Sequence, residues 1–151
     1  MEWKIRQAVK EDEPRIRELF IEMLQTIYSN KNVDGYEEGY LDKFFTNHED
    51  WICVAEINHL VVAYLSIEVH HEEKNFIYLD DLSVSEKYRS VGIGTHLIKT
   101  AEKFAEGINI STIIFHVEKA NKLAFKLYKR LGYSVLSDEG ARLRMAKDLL
   151  L

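Results

Sequence analysis

Apolar residues recur along this chain at two spacings, one typical of helices and the other typical of strands. Behind Asp12 and Pro14 they follow a period near 3.6 residues as far as Tyr28, which predicts a first helix. Comparable spacing later in the chain predicts three further helices. These helices are expected over residues 37–45, 93–107 and 120–131.

Shorter segments, rich in apolar residues and bounded by turn residues, predict seven strands. Three of them follow one another across short turns in the middle of the chain, so we expect them to pair antiparallel. The predicted order is β-α-α-β-β-β-α-β-α-β-β, a mixed α+β fold around one sheet. The strands are expected over residues 3–8, 50–57, 60–69, 75–84, 112–117, 133–136 and 141–146.

Length and hydropathy add limits to this picture. A chain of 151 residues is long enough for one buried core and too short for two ordinary domains, so residues 1–151 are predicted to form a single domain. The sequence is charged from its second residue, and its longest apolar run, residues 60–67, is far below the ~20 residues that span a bilayer. We therefore expect a cytoplasmic protein with no membrane partner.

Charge and side-chain chemistry exclude further classes. The net charge of -5 lacks the basic excess of nucleic-acid-binding proteins, so no nucleic-acid partner is predicted. The single cysteine, Cys53, lies in an apolar segment and is interpreted as a buried structural thiol. His70 and His71 are adjacent on a predicted strand and diverge, and no further ligands stand at convincing spacing, so no metal is predicted.

A glycine-rich turn joins a predicted strand to a predicted helix past mid-chain. The strand ends at Val84, and Gly92 and Gly94 stand where the helix opens. Free backbone N–H groups at a helix N-terminus form an anion cradle, and glycine lets a diphosphate approach them. The turn is neither a Walker loop, since no lysine follows Gly94, nor a Rossmann loop, since the third glycine is missing.

Two motifs together resemble those of a known family. The turn has the pattern Arg-x-x-Gly-x-Gly, beginning at Arg89, and resembles the coenzyme A pyrophosphate loop of the GNAT superfamily of acetyl-CoA-dependent N-acetyltransferases. Further along, Asn121 stands seven residues before Tyr128 on a helix that ends at Gly132 and Tyr133, which is similar to that family's second motif.

The GNAT resemblance implies both the fold and the cofactor site. The implied fold is a mixed, mostly antiparallel twisted sheet flanked by about four helices, in which the strands carrying Val84 and Val117 splay apart. In relatives the pantetheine arm of acetyl-CoA lies along the first of these strands, and the pyrophosphate lies on the glycine loop. The implied cofactor contacts are Leu82, Ser83, Val84, Arg89, Ser90, Val91, Gly92, Ile93, Gly94, Thr95, Asn121 and Tyr128.

Several of these cofactor positions also have an ordinary structural interpretation. Arg89 could be a solvated loop cation, and Thr95 or Asn121 could cap a helix. Ser90 and Val91 depart from the commoner family form, which has glycine and a basic residue there. The departure removes one phosphate-binding cation and is expected to weaken coenzyme A affinity without abolishing it.

Tyr128 is the predicted catalytic acid. It lies about two helical turns after Asn121, so both side chains project from one face. In the family this tyrosine reaches the thioester sulfur as general acid, whereas a tyrosine taken alone could equally be a core residue.

Asp80 and Asp81 are the two candidates for the catalytic base. Adjacent strand residues are expected on opposite faces, and Asp80 shares its strand parity with Leu82 and Val84, so Asp80 is preferred. A β-bulge in this strand would reverse the parity and favour Asp81. Either carboxylate could instead bind a neighbouring turn or a basic side chain.

The acceptor is expected to be a primary amine. Residues 137–143 resemble the C-terminal segment of spermidine/spermine acetyltransferase-like members, which suggests a small cationic amine. Glu37 and Glu38, together with Asp80, are the predicted acceptor-binding residues, although Glu37 and Glu38 could also form a solvated helix face.

The predicted function is therefore direct transfer of an acetyl group from acetyl-CoA to a small-molecule or peptide amine. Two alternatives stay open: a GNAT-fold acyl-CoA-binding sensor or interaction module without turnover, and a nucleotide-phosphate-binding domain. We also expect the protein to form a homodimer.

Overall fold

Seven strands lie side by side in one sheet in the computed structural model, which describes residues 2–150. The strands are β1 (Lys4–Gln7), β2 (Trp51–Ile57), β3 (Leu60–His71), β4 (Asn75–Val84), β5 (Thr112–Glu118), β6 (Ser134–Asp138) and β7 (Arg142–Asp148). The helices are α1 (Glu13–Tyr28), α2 (Lys43–Thr46), α3 (Ile93–Gly107) and α4 (Lys122–Arg130), with single 3-10 turns at Lys10–Asp12 and Glu86–Tyr88.

The sheet order is β1-β2-β3-β4-β5-β7-β6. Every neighbouring pair is antiparallel except β4 and β5, which run parallel because α3 crosses over between them. The predicted mixed, mostly antiparallel fold and the antiparallel meander β2-β3-β4 are confirmed.

The second helix is shorter than the sequence pattern predicted. Residues 32–37 have no regular structure, turns cover residues 38–42, and the helix begins only at Lys43. Gly39 has a φ of +80°, a left-handed conformation that a helix does not contain. The prediction of a helix over residues 37–45 is therefore wrong over its first six positions.

Two apolar clusters hold the helices against the sheet. The larger one joins α3, through residues such as Leu97, Ile98 and Ala101, to buried positions of β3, β4 and β5, and it includes Tyr128 of α4. The smaller one joins α1 and the α2 region to β2 and β3. Cys53 belongs to the larger cluster, and burial raises the pKa of its thiol to about 12, which fits the predicted structural role.

β4 and β5 separate half-way along their length. They pair only through three positions, and the last pair joins Leu79 to Phe115. β4 then continues to Val84 and β5 to Glu118 on diverging paths. The predicted splay of these two strands is confirmed, and it opens a cleft between their carboxyl ends.

A β-bulge lies at the point where β4 leaves β5. Leu65 of β3 pairs with Leu82, and Ile67 pairs with Leu79, so the single residue Ser66 opposes both Asp80 and Asp81. The expectation that Asp80 shares strand parity with Leu82 and Val84 is therefore wrong, because the extra residue shifts the alternation by one position.

None of the helices in the part of the chain that the structure describes has both the length and the apolar character needed to cross a membrane.

Leu97 tests how much the larger cluster stabilises the fold. Its side chain is fully buried, so Leu97→Ala should lower the free energy of unfolding by about 3 kcal/mol through lost burial and an incompletely filled cavity. Leu123→Ala is the matched control, since Leu123 is 78% exposed and its truncation should change stability by less than about 0.5 kcal/mol. Urea unfolding curves give both values, and equal losses would contradict the assignment of the core.

Candidate active site

The cleft between β4 and β5 contains a first cavity of about 250 Å³. Its walls come from α1, from the bulged part of β4, from the end of β5 and from α4. The polar side chains that line it are Tyr28, Tyr78, Asp80, Asp81, His116, Glu118, Asn121, Tyr128 and Arg142. We call this space the carboxylate cavity.

The bulge brings both aspartates to the same side of the sheet. Asp81 Oδ2 accepts a hydrogen bond of 2.5 Å from the hydroxyl of Tyr36, and Asp80 Oδ2 accepts one of 2.7 Å from that of Tyr40. Tyr36 and Tyr40 belong to the connection after α1, and their rings stack with centroids 5.0 Å apart. The prediction that Asp80 and Asp81 point to opposite faces is wrong for this reason.

A second tyrosine stands behind the first one. The hydroxyls of Tyr36 and Tyr64 lie 2.8 Å apart. Because Tyr36 donates its proton to Asp81, Tyr64 is the donor in this pair. The resulting chain from Tyr64 through Tyr36 to Asp81 fixes the position of that carboxylate.

Burial makes both aspartates weaker acids. It raises the pKa of Asp81 to about 7, with a further contribution from the charge of Asp80, while the hydrogen bond from Tyr36 acts in the opposite direction. The pKa of Asp80 is also raised, again mainly by burial, and the hydrogen bond from Tyr40 opposes that shift. A carboxylate with a pKa near 7 can accept a proton at neutral pH.

Tyr128 lies at the inner end of the cavity. Its ring packs against Phe115 with centroids 4.2 Å apart, and its side chain is buried in the larger cluster. Burial, followed by the nearby charge of Asp81, raises the pKa of the Tyr128 hydroxyl above its ordinary value. The phenol therefore keeps its proton at neutral pH, as a general acid must.

A second cavity, of about 530 Å³, lies on the other side of Tyr128. Leu82, Ser83 and Val84 of β4 form one wall, α4 forms the opposite wall, and the glycine-rich loop closes the end. We call this space the loop cavity. Leu82, Asn121 and Tyr128 line both cavities, so the two are parts of one cleft that meet at Tyr128.

The loop cavity ends on unpaired backbone N–H groups. The helix α3 has Gly92 as its N-cap, with a φ of +96°, and its first intrahelical bond is donated by the amide of His96 to Gly92 O. The amides of Ile93, Gly94 and Thr95 precede that bond and have no intrahelical acceptor. Of the two alternatives for Thr95, the one in which it caps the helix is wrong, since Gly92 is the N-cap.

Arg89 and Ser90 shape the loop before this helix. Arg89 Nε donates a hydrogen bond of 2.9 Å to Val84 O, which ties the loop back to the end of β4. Ser90 has a φ of +63°, a conformation that favours glycine and that is consistent with the family's glycine at this position. Arg89, Ser90, Gly92, Ile93, Gly94 and Thr95 line the loop cavity, whereas exposed Val91 is not among the lining residues.

Asn121 caps a helix, as one of its two interpretations expected, and it also lines the cleft. Its Oδ1 accepts a hydrogen bond of 3.3 Å from the amide of Ala124, so it is the N-cap of α4. Glu37 and Glu38 are exposed in the connection before α2, and neither lines either cavity. Their role in acceptor binding stays a prediction.

Sequence patterns missed several polar residues of the carboxylate cavity. Tyr78 on β4 and His116 on β5 meet through a 2.6 Å hydrogen bond, and Glu139 reaches His116 from the hairpin between β6 and β7. No local pattern announces these contacts, because they depend on the register between distant strands. Within residues 2–150 no group of three or more His, Cys, Asp or Glu side chains is placed to hold a metal ion.

Comparison with known proteins places this architecture in a family. The model of the acetyltransferase (GNAT) family matches residues 14–133. The chain belongs to the GNAT acetyltransferase family. Family membership confirms the predicted enzyme class, an acetyl-CoA-dependent N-acetyltransferase.

Two relatives of this GNAT chain come from archaea. It is 31% identical over 130 residues to an uncharacterized N-acetyltransferase of Methanocaldococcus jannaschii, and the alignment covers 85% of this chain and 76% of the relative. It is 32% identical over 110 residues to an N-alpha-acetyltransferase of Sulfurisphaera tokodaii, and the alignment covers 64% of this chain and 66% of the relative.

A solved structure shares the GNAT fold of this chain. The PaiA N-acetyltransferase of Thermoplasma acidophilum, solved in complex with coenzyme A, superposes with a TM-score of 0.81 at 19% identity over 98% of this chain and 99% of that one. At this identity the likeness concerns the fold.

The raised pKa of Asp81 predicts a pH-dependent effect on the stability of this GNAT chain. Folding raises that pKa from 3.8 to about 7, so the stabilising contribution of protonated Asp81 is lost as the pH rises between these values. Asp81→Asn keeps an acceptor for Tyr36 and removes the buried charge. It should therefore stabilise the protein at pH 8 by an amount on the order of 2 kcal/mol, and by much less at pH 5.

Urea unfolding at pH 5 and pH 8 measures this difference. The exposed residue Asp34 offers the matched control, and Asp34→Asn should have little effect at either pH. Equal stability changes for Asp81→Asn at the two pH values would show that Asp81 does not have the raised pKa.

Proposed function

We propose that this protein transfers an acetyl group directly from acetyl-CoA, held in the loop cavity, to a primary amine held in the carboxylate cavity. The observation that carries the proposal is the position of Tyr128, which lines both cavities at their junction. A donor bound on one side and an acceptor bound on the other would meet at this phenol. Proximity of this kind supplies much of the rate of a two-substrate reaction.

The loop cavity fits the donor. Its closed end offers the first-turn amides of α3 to the pyrophosphate. A Cβ at Gly94 would lie 3.6 to 3.9 Å from Leu127, Val84 and Leu82, which all line this cavity, so glycine leaves more room in it. Beyond Leu79, the edge of β4 that faces β5 has no strand partner in the part of the chain described, and it borders the wall formed by Leu82 and Val84. Pantetheine amides could pair with that edge.

Two side chains have proton-transfer roles in this proposal. Acetyl-CoA supplies the acetyl thioester. Asp81 accepts a proton from the acceptor amine, for which its pKa of about 7 is suited. Tyr128, which stays protonated at neutral pH, donates a proton to the departing thiolate. Because the bulge brings both carboxylates to one side of the sheet, the pKa of about 7 is what favours Asp81 over Asp80 as the base.

Charge in the carboxylate cavity favours a cationic acceptor. Asp80, Asp81 and Glu118 line it, against the single arginine Arg142. Carboxylates around a small cavity attract an ammonium group and disfavour an anionic one. A polyamine-like molecule and a peptide N-terminus both satisfy this requirement, and the N-alpha-acetyltransferase among the relatives makes peptides a necessary part of any test.

An acceptor screen tests the function. Coenzyme A release is followed with diamines, amino sugars, free amino acids and short peptides, each at fixed acetyl-CoA. We expect turnover with a cationic primary amine and none with its N-acetylated form. Binding of acetyl-CoA without turnover on any amine class would favour the alternative of an acyl-CoA-binding sensor.

Gly94→Ala tests the cofactor cradle. The added methyl group meets only ordinary contacts in the protein, so the fold should be retained, and its neighbours Leu127, Val84 and Leu82 all line the cavity proposed for the donor. Coenzyme A affinity measured by calorimetry should fall about 10-fold or more, roughly the 1.4 kcal/mol expected from one lost close contact. Gly107→Ala, at the other end of α3, has open space around the new methyl group and should bind normally. Unchanged affinity in Gly94→Ala would remove the cradle.

Tyr128→Phe tests the catalytic acid. It removes the proton donor and keeps the ring, so kcat should fall roughly 10- to 10³-fold with little change in coenzyme A affinity. Tyr133→Phe is the control, because Tyr133 packs in the same aromatic group but donates its hydroxyl to Glu102. A wild-type kcat in Tyr128→Phe would leave this residue a packing role only.

Asp81→Asn and Asp80→Asn separate the two carboxylates. If Asp81 is the base, kcat/KM of the wild type rises with pH through about 7, and Asp81→Asn should lower it by roughly 10²-fold or more. Asp80→Asn should keep activity and shift the rise to lower pH, because the charge of Asp80 raises the pKa of Asp81. Profiles of kcat/KM against pH for the wild type and the two variants decide which carboxylate is the base. The reverse pattern would assign the base to Asp80.

A further inference from the structure

One oxygen of the Asp81 carboxylate is anchored and the other is free. Asp81 Oδ2 accepts the hydrogen bond of 2.5 Å from the Tyr36 hydroxyl. Among residues 2–150, Asp81 Oδ1 has no hydrogen-bond partner, and it is open to solvent. Because Asp81 lines the carboxylate cavity, Oδ1 is the oxygen left to face an acceptor.

Tyr36 reaches Asp81 from behind the carboxylate cavity. It belongs to the connection between α1 and α2 and does not line that cavity. Its ring stacks on that of Phe20 with centroids 3.8 Å apart, and Arg17 Nη1 donates to its carbonyl oxygen at 2.9 Å. The ring and the backbone of Tyr36 are thus both fixed by α1, so its hydroxyl has a defined position beside Asp81.

Tyr64 supports Tyr36 from β3. Its hydroxyl lies 2.8 Å from that of Tyr36, and its side chain is fully buried. Burial raises the pKa of both phenols well above the ordinary value of tyrosine, so both keep their protons at neutral pH. Hydrogen bonds in a chain polarise one another, so the bond from Tyr64 makes Tyr36 a stronger donor to Asp81.

Ionisable groups act on Asp81 from several elements. Burial raises the pKa of Asp81, and the charges of Asp80 and Glu68 add to this effect. The hydrogen bond from Tyr36 lowers that pKa. Lys43 pairs with Glu68 at 2.6 Å and also acts on Asp80, which accepts a hydrogen bond from Tyr40. The remaining ionisable side chains around the cavity are Tyr28, Tyr78, His116, Glu118, Tyr128 and Arg142.

We propose that Tyr36, supported by Tyr64, is a positioning residue for the acetyl transfer, which holds Asp81 ionised and directs its free oxygen to the acceptor nitrogen. This inference rests on the proposed function, in which Asp81 accepts the proton of the amine. It adds that the base is built by three residues from three segments of the chain, of which only Asp81 touches the acceptor.

A buried base beside other carboxylates needs a donor of this kind. Burial and neighbouring negative charge favour the protonated form of Asp81, which cannot accept a proton. A hydrogen bond to the carboxylate favours the charged form instead. A phenol gives this stabilisation without a charge of its own, whereas a lysine or arginine at the same place would make Asp81 a weaker base and repel an ammonium acceptor.

Tyr36→Phe tests the role, because it removes the hydroxyl and keeps the ring that stacks on Phe20. The ionisation of Asp81 is followed by NMR titration of its labelled carboxyl carbon, and kcat/KM is measured against pH on the best amine of the acceptor screen. Both curves should move to higher pH by about one unit, the size expected for one hydrogen bond to a charged group. Coenzyme A affinity should stay unchanged, which reports an intact fold.

Tyr64→Phe tests the second member of the arrangement. Tyr36 keeps its bond to Asp81 but loses its own donor, so both curves should move in the same direction by a smaller amount. The double variant should move them no further than Tyr36→Phe alone, since Tyr64 acts only through Tyr36.

Tyr40→Phe is the matched control, with the same atom removed from the same connection beside the other carboxylate. The hydrogen bond from Tyr40 lowers the pKa of Asp80, so its loss can only reduce the negative charge that Asp80 places beside Asp81. The titration of Asp81 should therefore stay in place or move to lower pH, opposite to the effect of Tyr36→Phe.

Three results would overturn the role of Tyr36. An unmoved Asp81 titration in Tyr36→Phe would show that the hydroxyl does not stabilise the carboxylate in solution. A lower kcat/KM at every pH, without a shift of the profile, would reduce Tyr36 to packing. A titration that moves while the profile does not would show that Asp81 is not the base that Tyr36 positions. A wild type that acetylates no amine contradicts the proposed function itself, whereas failure of the Tyr36 role alone leaves the wild type active.

Discussion

β4 can keep both Leu79 and Leu82 in the core only by carrying one residue more than β3 between their two partners. That extra residue, opposite Ser66, is what brings Asp80 and Asp81 to one side of the sheet. It also coincides with the end of pairing between β4 and β5. The position of the carboxylates and the cleft beside them are therefore two results of one β-bulge in β4. Hydrogen bonds from Tyr36 and Tyr40 to these carboxylates offset part of the unfavourable burial of charge.

Tyr128 couples the chemistry to the core. Its ring is part of the cluster that packs α3 and α4 on the sheet, while its hydroxyl reaches the space between the two cavities. A side chain held by packing on a helix keeps its position more accurately than one on a loop. The raised pKa values of Asp81 and Tyr128 both come mainly from burial, so the exclusion of water makes Asp81 a better proton acceptor and keeps Tyr128 protonated at neutral pH.

Sequence patterns predicted the order of the elements and the glycine loop, because these depend on local period and on turn chemistry, whereas the splayed strands were expected only from the resemblance to the GNAT family. They failed at the bulge, although the signal was present: Leu79 and Leu82 stand three apart, where strict alternation would place apolar residues two apart. The helix expected over residues 37–45 begins only at Lys43, because the turn at Gly39 precedes it. The contacts of Tyr78, His116 and Glu139 could not be read from the chain, since each depends on the pairing of strands that are distant in sequence.

The separation of β4 and β5 has a consequence for which molecules can enter. The edge of a strand inside a sheet is normally paired with a neighbouring strand, and an exposed, unpaired edge tends to pair with other protein chains. Here the edge beyond Leu79 borders the loop cavity, whose volume of about 530 Å³ has room for a thin extended molecule and none for a folded partner. Such a molecule is held by the backbone if it has peptide-like groups at strand spacing, whatever side chains line the walls. In the proposed function the sheet would therefore select its ligand by shape and by the spacing of its hydrogen-bonding groups, and the side chains along the walls could change while that selection is kept.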